Sequence, residues 1–106
     1  MITVIVNFPA PEGATVESMR DAFASTTPRY EQLPGLIRKY YLFDPDTHTG
    51  GGVYLWEDRA QAEAFYNAEW RDRLAEKYGV PPKIAFFESP VIVDNDLKKV
   101  SVEAAE

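Results

Sequence analysis

The chain has 106 residues, a formal charge of −6, a pI near 4.7 and 26% charged side chains; it has the length of one globular domain and no basic surface for nucleic acid or anionic lipid. With no cysteine it cannot form a disulfide, a thiolate nucleophile, an iron–sulfur cluster or a cysteine-based zinc site. Met1 runs straight into an apolar alternation, without the regions of a secretory leader, and no apolar run reaches the ~18 residues of a membrane span, so no membrane partner and a cytoplasmic location are expected.

Residues 2–8 (ITVIVNF) are apolar on both parities, the pattern of a strand covered on both faces, and the Pro and Gly residues of 9–13 stop it. Thr15 is placed to cap a helix whose Val16, Met19, Phe23 and Tyr30 recur on one side. Pro28 breaks that helix near Thr26-Thr27, leaving 29–33 as a separate short turn. Residues 36–43 and 51–56 read as two strands of a hairpin, joined by the turn formers of 44–50. Asp58, with Gln61 three residues on, opens a second helix whose Ala62, Phe65, Tyr66, Trp70, Leu74 and Tyr78 keep helical spacing up to Gly79, with room for one jog. Pro81-Pro82 then leads into 83–93, which reads as the fourth strand. From Asp94 the sequence turns polar, so a domain over 1–95 and a polar C-terminal tail or dimer arm over 96–106 are expected.

The order β, α, β, β, α, β predicts an α+β fold of ferredoxin-like topology, an antiparallel sheet with two helices on one face. Strands apolar on both parities cannot leave the other face in water, and a single chain of this size has no third layer. The expectation is a homodimer, a second copy packing through that sheet face.

At the level of motifs, Pro28-Arg29-Tyr30, Pro34-Gly35-Leu36-Ile37-Arg38-Lys39-Tyr40-Tyr41, Gly51-Gly52-Val53-Tyr54-Leu55-Trp56-Glu57, Glu69-Trp70-Arg71, Lys77-Tyr78-Gly79 and Pro90-Val91-Ile92-Val93-Asp94-Asn95 resemble the YdhR-type monooxygenases of the dimeric α/β-barrel superfamily. The resemblance implies a homodimer whose two sheets meet as a barrel, and a ligand cavity between sheet and helices in each subunit. It also implies a cofactor-independent oxidation of a small aromatic or polyketide-like substrate by dioxygen. Relatives sharing the fold include isomerases, peroxidases, haem-degrading proteins and proteins without known activity, so the fold alone does not fix the chemistry.

The residues themselves offer no nucleotide loop: Gly50-Gly51-Gly52 lacks the G-x-G-x-x-G spacing and enters a strand, where glycines mark close backbone approach. The single histidine, His48, sits among turn residues with no partners for a triad, a metal or a haem, so no cofactor and no metal are expected. Alternation puts Leu36, Arg38, Tyr40 and Leu42 on one face of the second strand and Ile37, Lys39, Tyr41 and Phe43 on the other. Tyr40 or Tyr41 with Arg38 or Lys39 can donate to a ligand oxyanion, or the cations can snorkel or pair with carboxylates. Asn7 either bonds at the strand end or enters the cavity. Trp56, Phe65, Tyr66 and Trp70 are core or walls for a planar ligand, and Arg29, at the helix break, either meets an anionic ligand or pairs with Glu31 or Asp21 at the surface. Two other functions fit the same residues: a non-enzymatic dimer binding a small hydrophobic ligand, and a cofactor-free isomerase with Glu57, Glu69 or Glu88 as acid or base.

Overall fold

The alternation of the first strand is resolved by burial. In the computed structural model, which describes residues 1–103, Ile2, Val4, Val6 and Phe8 of β1 (Ile2–Pro9) are each at most 8% exposed, while Thr3, Ile5 and Asn7 lie half-buried on the opposite side. The buried set faces the helices. β1 runs antiparallel between β3 (Thr49–Trp56) and β4 (Lys83–Glu88), and β2 (Leu36–Asp44) flanks β3, so the four-stranded order is β2-β3-β1-β4. This is the expected ferredoxin-like arrangement, present in the single chain as an open sheet.

Both helical segments are divided in two. Thr15 caps α1 (Val16–Ala24) through a reciprocal pair of hydrogen bonds with Ser18, and Pro28 sits in the first turn of the separate helix α2 (Thr27–Glu31). Asp58 caps α3 (Arg59–Phe65) by accepting from the Gln61 amide; Asn67 interrupts the run and caps α4 (Ala68–Tyr78), which ends at the left-handed Gly79. Gln61 returns no side-chain bond to Asp58: its amide lies against Gly35, and its Oε1 is buried without a partner. Met19, Phe23, Tyr30, Ala62, Phe65, Tyr66, Trp70, Leu74 and Tyr78 pack on the sheet as their spacing predicts, but Val16 is 56% exposed at the helix start.

Three details depart from the simple alternation. A bulge between Leu36 and Arg38 lets Leu36 share the helix face with Lys39, Tyr41 and Phe43, so Leu36 joins the core while Arg38, Tyr40 and Leu42 face the open side. The extended segment 83–93 is two strands, because Ser89-Pro90 takes the chain out of the sheet and β5 (Val91–Asp94) pairs with β6 (Lys99–Val102). Residues 99–102 of the expected tail are thus half of a hairpin that crosses position 95; 104–106 lie outside the described residues. Asp94 of the hairpin reaches back to Arg38 at 3.3 Å. Among the described residues no helix is long and apolar enough to cross a membrane.

The glycine run is a packing requirement. A Cβ on Gly51 would run into the Val6 carbonyl, and one on Gly50 would stand 2.7 Å from the Phe8 ring. The first obstacle is backbone of the central strand and cannot swing aside, so Gly51→Ala is expected to lower stability by about 1–3 kcal/mol. A fall in the urea midpoint with an unchanged m-value checks this.

Candidate functional site

Between the sheet and the helices lies a cavity of about 220 Å³. Beside it, the helix-facing position of β3 between Tyr54 and Gly50 is Gly52: a Cβ there would stand 3.2 Å from Lys39 Cε and 3.1 Å from the Tyr54 ring. The missing side chain gives the Lys39 stem and the Tyr54 ring their room. Phe8 stacks on Tyr78 with ring centroids 3.9 Å apart and forms part of the lining, together with Phe23, Tyr30, Tyr41 and Trp70.

Lys39 is the chemical centre of this cavity. Its ammonium lies 3.5 Å from the centroid of the Tyr30 ring, 3.8 Å from that of Tyr41 and 4.6 Å from that of Tyr54. No carboxylate is within ion-pair distance of it among the described residues. Burial, and then the nearby Arg29 guanidinium, lower its pKa from 10.5 to about 7. The three ring faces are the groups that favour its charged form. An amine that is half charged at neutral pH can take a proton or stand beside an anion.

The surrounding phenols are held neutral. The Thr26 hydroxyl donates to the Phe23 carbonyl at 2.8 Å, so its 2.7 Å contact with Tyr41 leaves Tyr41 as the donor. Burial raises the pKa of Tyr41, and it pushes Tyr54 and Tyr66 far above the ordinary phenol value. Trp56 Nε1–H donates to the Tyr66 hydroxyl at 3.0 Å deep in the core. Trp70 differs: it lines the cavity, is 3% exposed, and its Nε1–H has no partner among the described residues.

The residues singled out in the sequence divide between the two sides of the sheet. Lys39, Tyr41 and Trp70 line the cavity, with Arg29 at its exposed rim. Phe65 packs behind it against Tyr30 and Tyr54, while Trp56 and Tyr66 are buried in the core. Arg38, Tyr40 and Asn7 lie on the opposite face, Arg38 paired with Asp94 and Tyr40 57% exposed. Glu57, Glu69 and Glu88 are exposed and outside the cavity, Glu88 lying 3.6 Å from Arg59. His48 is an exposed turn residue at φ 55°. Among the described residues no three metal-ligating side chains are gathered together. Sequence reading did not single out Tyr54, Phe8, Tyr78, Arg73 or Lys77 as lining residues; only the i, i+4 spacing of Arg73 and Lys77 beside Trp70 and Leu74 signals that they share one side of α4.

With this geometry in hand, residues 3–85 match the family described as "Putative mono-oxygenase ydhR". The chain belongs to this family. No curated protein matches it in sequence. Among solved structures it is similar to a protein of unknown function, NE2512, from Nitrosomonas europaea, with a TM-score of 0.65 and 23% identity over 83% of this chain and 87% of that one. It is also similar to the ActVA-Orf6 monooxygenase of Streptomyces coelicolor, solved with nanaomycin D, with a TM-score of 0.63 and 20% identity over 83% and 86% of the two chains. SnoaB of Streptomyces nogalater, a cofactor-independent oxygenase, aligns with a TM-score of 0.57 and 15% identity over 83% and 91%. At these identities the structural likeness establishes the fold; the family match establishes a monooxygenase-like membership.

The lowered pKa of Lys39 has a signature in stability. Between pH 7 and 10.5 the unfolded chain holds a proton on Lys39 that the folded chain has lost, so folding is favoured increasingly as pH rises through this window. Urea unfolding at about pH 6.5 and about pH 9 should therefore show the stability of the native protein, relative to Lys39→Met, improving by roughly 1–2 kcal/mol at the higher pH. A pH-independent difference would show that Lys39 titrates as an ordinary surface lysine.

Proposed function

We propose that this protein is a cofactor-independent monooxygenase that oxidises a small planar phenol or enol with dioxygen in the cavity around Lys39. The observation that carries the reading is an amine with a pKa near 7 enclosed by tyrosine rings, without a carboxylate partner. The likeness to SnoaB, a cofactor-independent oxygenase, and the family membership support it. In this mechanism the neutral form of Lys39 takes the phenolic proton, and the ammonium so formed stays beside the substrate anion. The anion is the reductant. It adds to dioxygen at the ring carbon para to the oxygen, giving a carbon-bound peroxide; protonation of the distal oxygen and loss of the hydrogen on that carbon break the O–O bond. One oxygen atom becomes a quinone carbonyl and the other leaves as water, so no external electrons are needed.

Trp70 and the tyrosine rings supply stacking walls and keep water away from the reacting anion. About 150 Å³ suffices to hold a benzene, so 220 Å³ suits one or two fused rings. Oxygen uptake should accordingly be catalysed with naphthols, and more slowly with tricyclic hydroxyanthracenones, in an electrode cell without added flavin or metal. With the amine as base, kcat/KM rises with pH and levels off above about 7. Lys39→Met should lower it by about 10²-fold or more, and Lys39→Arg should not restore it, since a guanidinium stays protonated. Uptake unaffected in Lys39→Met would overturn the assignment. Binding without uptake would favour the small-ligand-binding module instead.

We also propose that the chain works as a homodimer through the open face of its sheet, where Tyr40 and Phe87 are 57% and 50% exposed beside Ile5, Val53 and Leu55. Sedimentation equilibrium should give about twice the 12.0 kDa of one chain, and Leu55→Asp should return it to one. A monomeric native protein at micromolar concentration would remove this part of the proposal.

A further inference from the structure

The charge around the cavity opposes the charge of the chain. The protein carries a formal −6, yet Arg29, Lys39, Arg73 and Lys77 all line the cavity and, among the described residues, no Asp or Glu does. Among the described residues none of these four cations is in an ion pair. They come from three elements: Arg29 from α2, Lys39 from β2, and Arg73 and Lys77 one turn apart on α4. Arg29, Arg73 and Lys77 are exposed at the rim, whereas the interior is aromatic. Inside, Trp70 is 3% exposed and forms part of the aromatic wall.

We propose that the substrate class is a planar aromatic carboxylate of one or two rings, its ring system held among Tyr30, Tyr41, Tyr54 and Trp70 and its carboxylate set at the rim between Arg29, Arg73 and Lys77. This rests on the oxygenase reading above for what happens to the bound ring, but not for the binding itself. A guanidinium fork and a nearby ammonium recognise a carboxylate through charge-assisted hydrogen bonds. An aromatic interior with a small number of convergent polar groups is the usual form of such a site. The cationic rim also raises the local concentration of an anion that the rest of this acidic surface repels. Because a carboxylate at the rim fixes the far end of the ring system, it sets which ring oxygen reaches Lys39. The rim is thereby a specificity device rather than part of the proton transfer.

The test compares hydroxynaphthoic acids with the corresponding naphthols on the full-length protein, with binding read from quenching of tryptophan fluorescence at low salt. The acid is expected to bind at least tenfold more tightly, with a preference that shrinks as salt is added. The double variant Arg73→Gln/Lys77→Gln, changed at exposed positions, is expected to cut the acid-to-naphthol affinity ratio at least fivefold. Lys98→Gln/Lys99→Gln, at exposed positions of the β5–β6 hairpin, removes the same two charges without touching the rim and should leave the ratio as it is. Equal affinity for acid and naphthol, or an equal fall in the ratio for both variants, overturns the inference, as does failure of the acid to bind. Oxygen uptake read in parallel separates the two proposals. Uptake with naphthols and no preference for the acid sinks the carboxylate rim alone; acid-selective binding without uptake supports the rim and sinks the oxygenase.

Discussion

An ammonium taken out of water without a carboxylate must find its stabilisation elsewhere, and here it finds tyrosine faces. Nearly every local feature around Lys39 serves that placement. Gly52 leaves the space through which the lysine stem and the Tyr54 ring pass each other. Pro28 ends α1 early and starts α2, which brings Tyr30 over the amine. The Tyr41–Thr26–Phe23 hydrogen-bond relay fixes the second ring and ties it to the end of α1. The site is thus built from the same strand and helix breaks that shape the core, and its rings are held by packing before any ligand arrives.

The division of labour across the sheet follows from this. Behind the cavity, Trp56, Tyr66 and Phe65 form an aromatic cluster in which Tyr66 meets both neighbours edge-to-face, with the Trp56–Tyr66 hydrogen bond inside it, a dry block in which truncating Trp56 costs on the order of 3–5 kcal/mol. Trp70 joins this cluster on one side and borders the cavity on the other, so the rigidity of the core is passed directly to the wall of the site. The opposite face of the sheet also carries a cation and a tyrosine, Arg38 and Tyr40, but turns them toward the hairpin and the outside.

Much of this fold was legible from spacing. The β-branched first strand, the Thr15 and Asp58 caps, the break at Pro28 and the aromatic run from Phe65 to Tyr78 each state their local structure in residue types that have few alternatives. The strand order follows once antiparallel pairing is assumed. The site was legible only as a set of candidates, because period-2 alternation names two faces without saying which one the helices cover. The bulge near Ile37 also shifts Leu36 to the face opposite the one alternation assigns it. Tyr54 and Phe8 carried no signal of their own, because alternation does not tell a cavity wall from core on the helix face, and both are buried there. The cations of α4 were hidden for another reason. In sequence Arg73 and Lys77 stand among Glu69, Asp72 and Glu76, and only the helix's orientation separates the two signs. The exit of the chain at Ser89-Pro90 was masked because apolar residues resume at Val91, directly after the proline, and enter a second, separate pairing.

The bulge between Leu36 and Arg38 carries a meaning beyond local geometry. β2 presents two nearly interchangeable triplets, Arg38-Tyr40-Leu42 and Lys39-Tyr41-Phe43, each a cation, a tyrosine and an apolar residue. On a flat ladder these triplets are poorly discriminated, and a slip of one residue exchanges the contents of the two faces while leaving the hydrogen-bond ladder intact. The extra residue at the start of the strand works as an indexing notch: with Leu36 seated against the Trp56 position, only one register lets the core close. A strand with a front and a back of similar composition thus acquires a defined inside and outside from a single inserted residue. A loss or gain of one residue there would act less like damage to a strand than like an exchange of what lines the cavity and what faces outward.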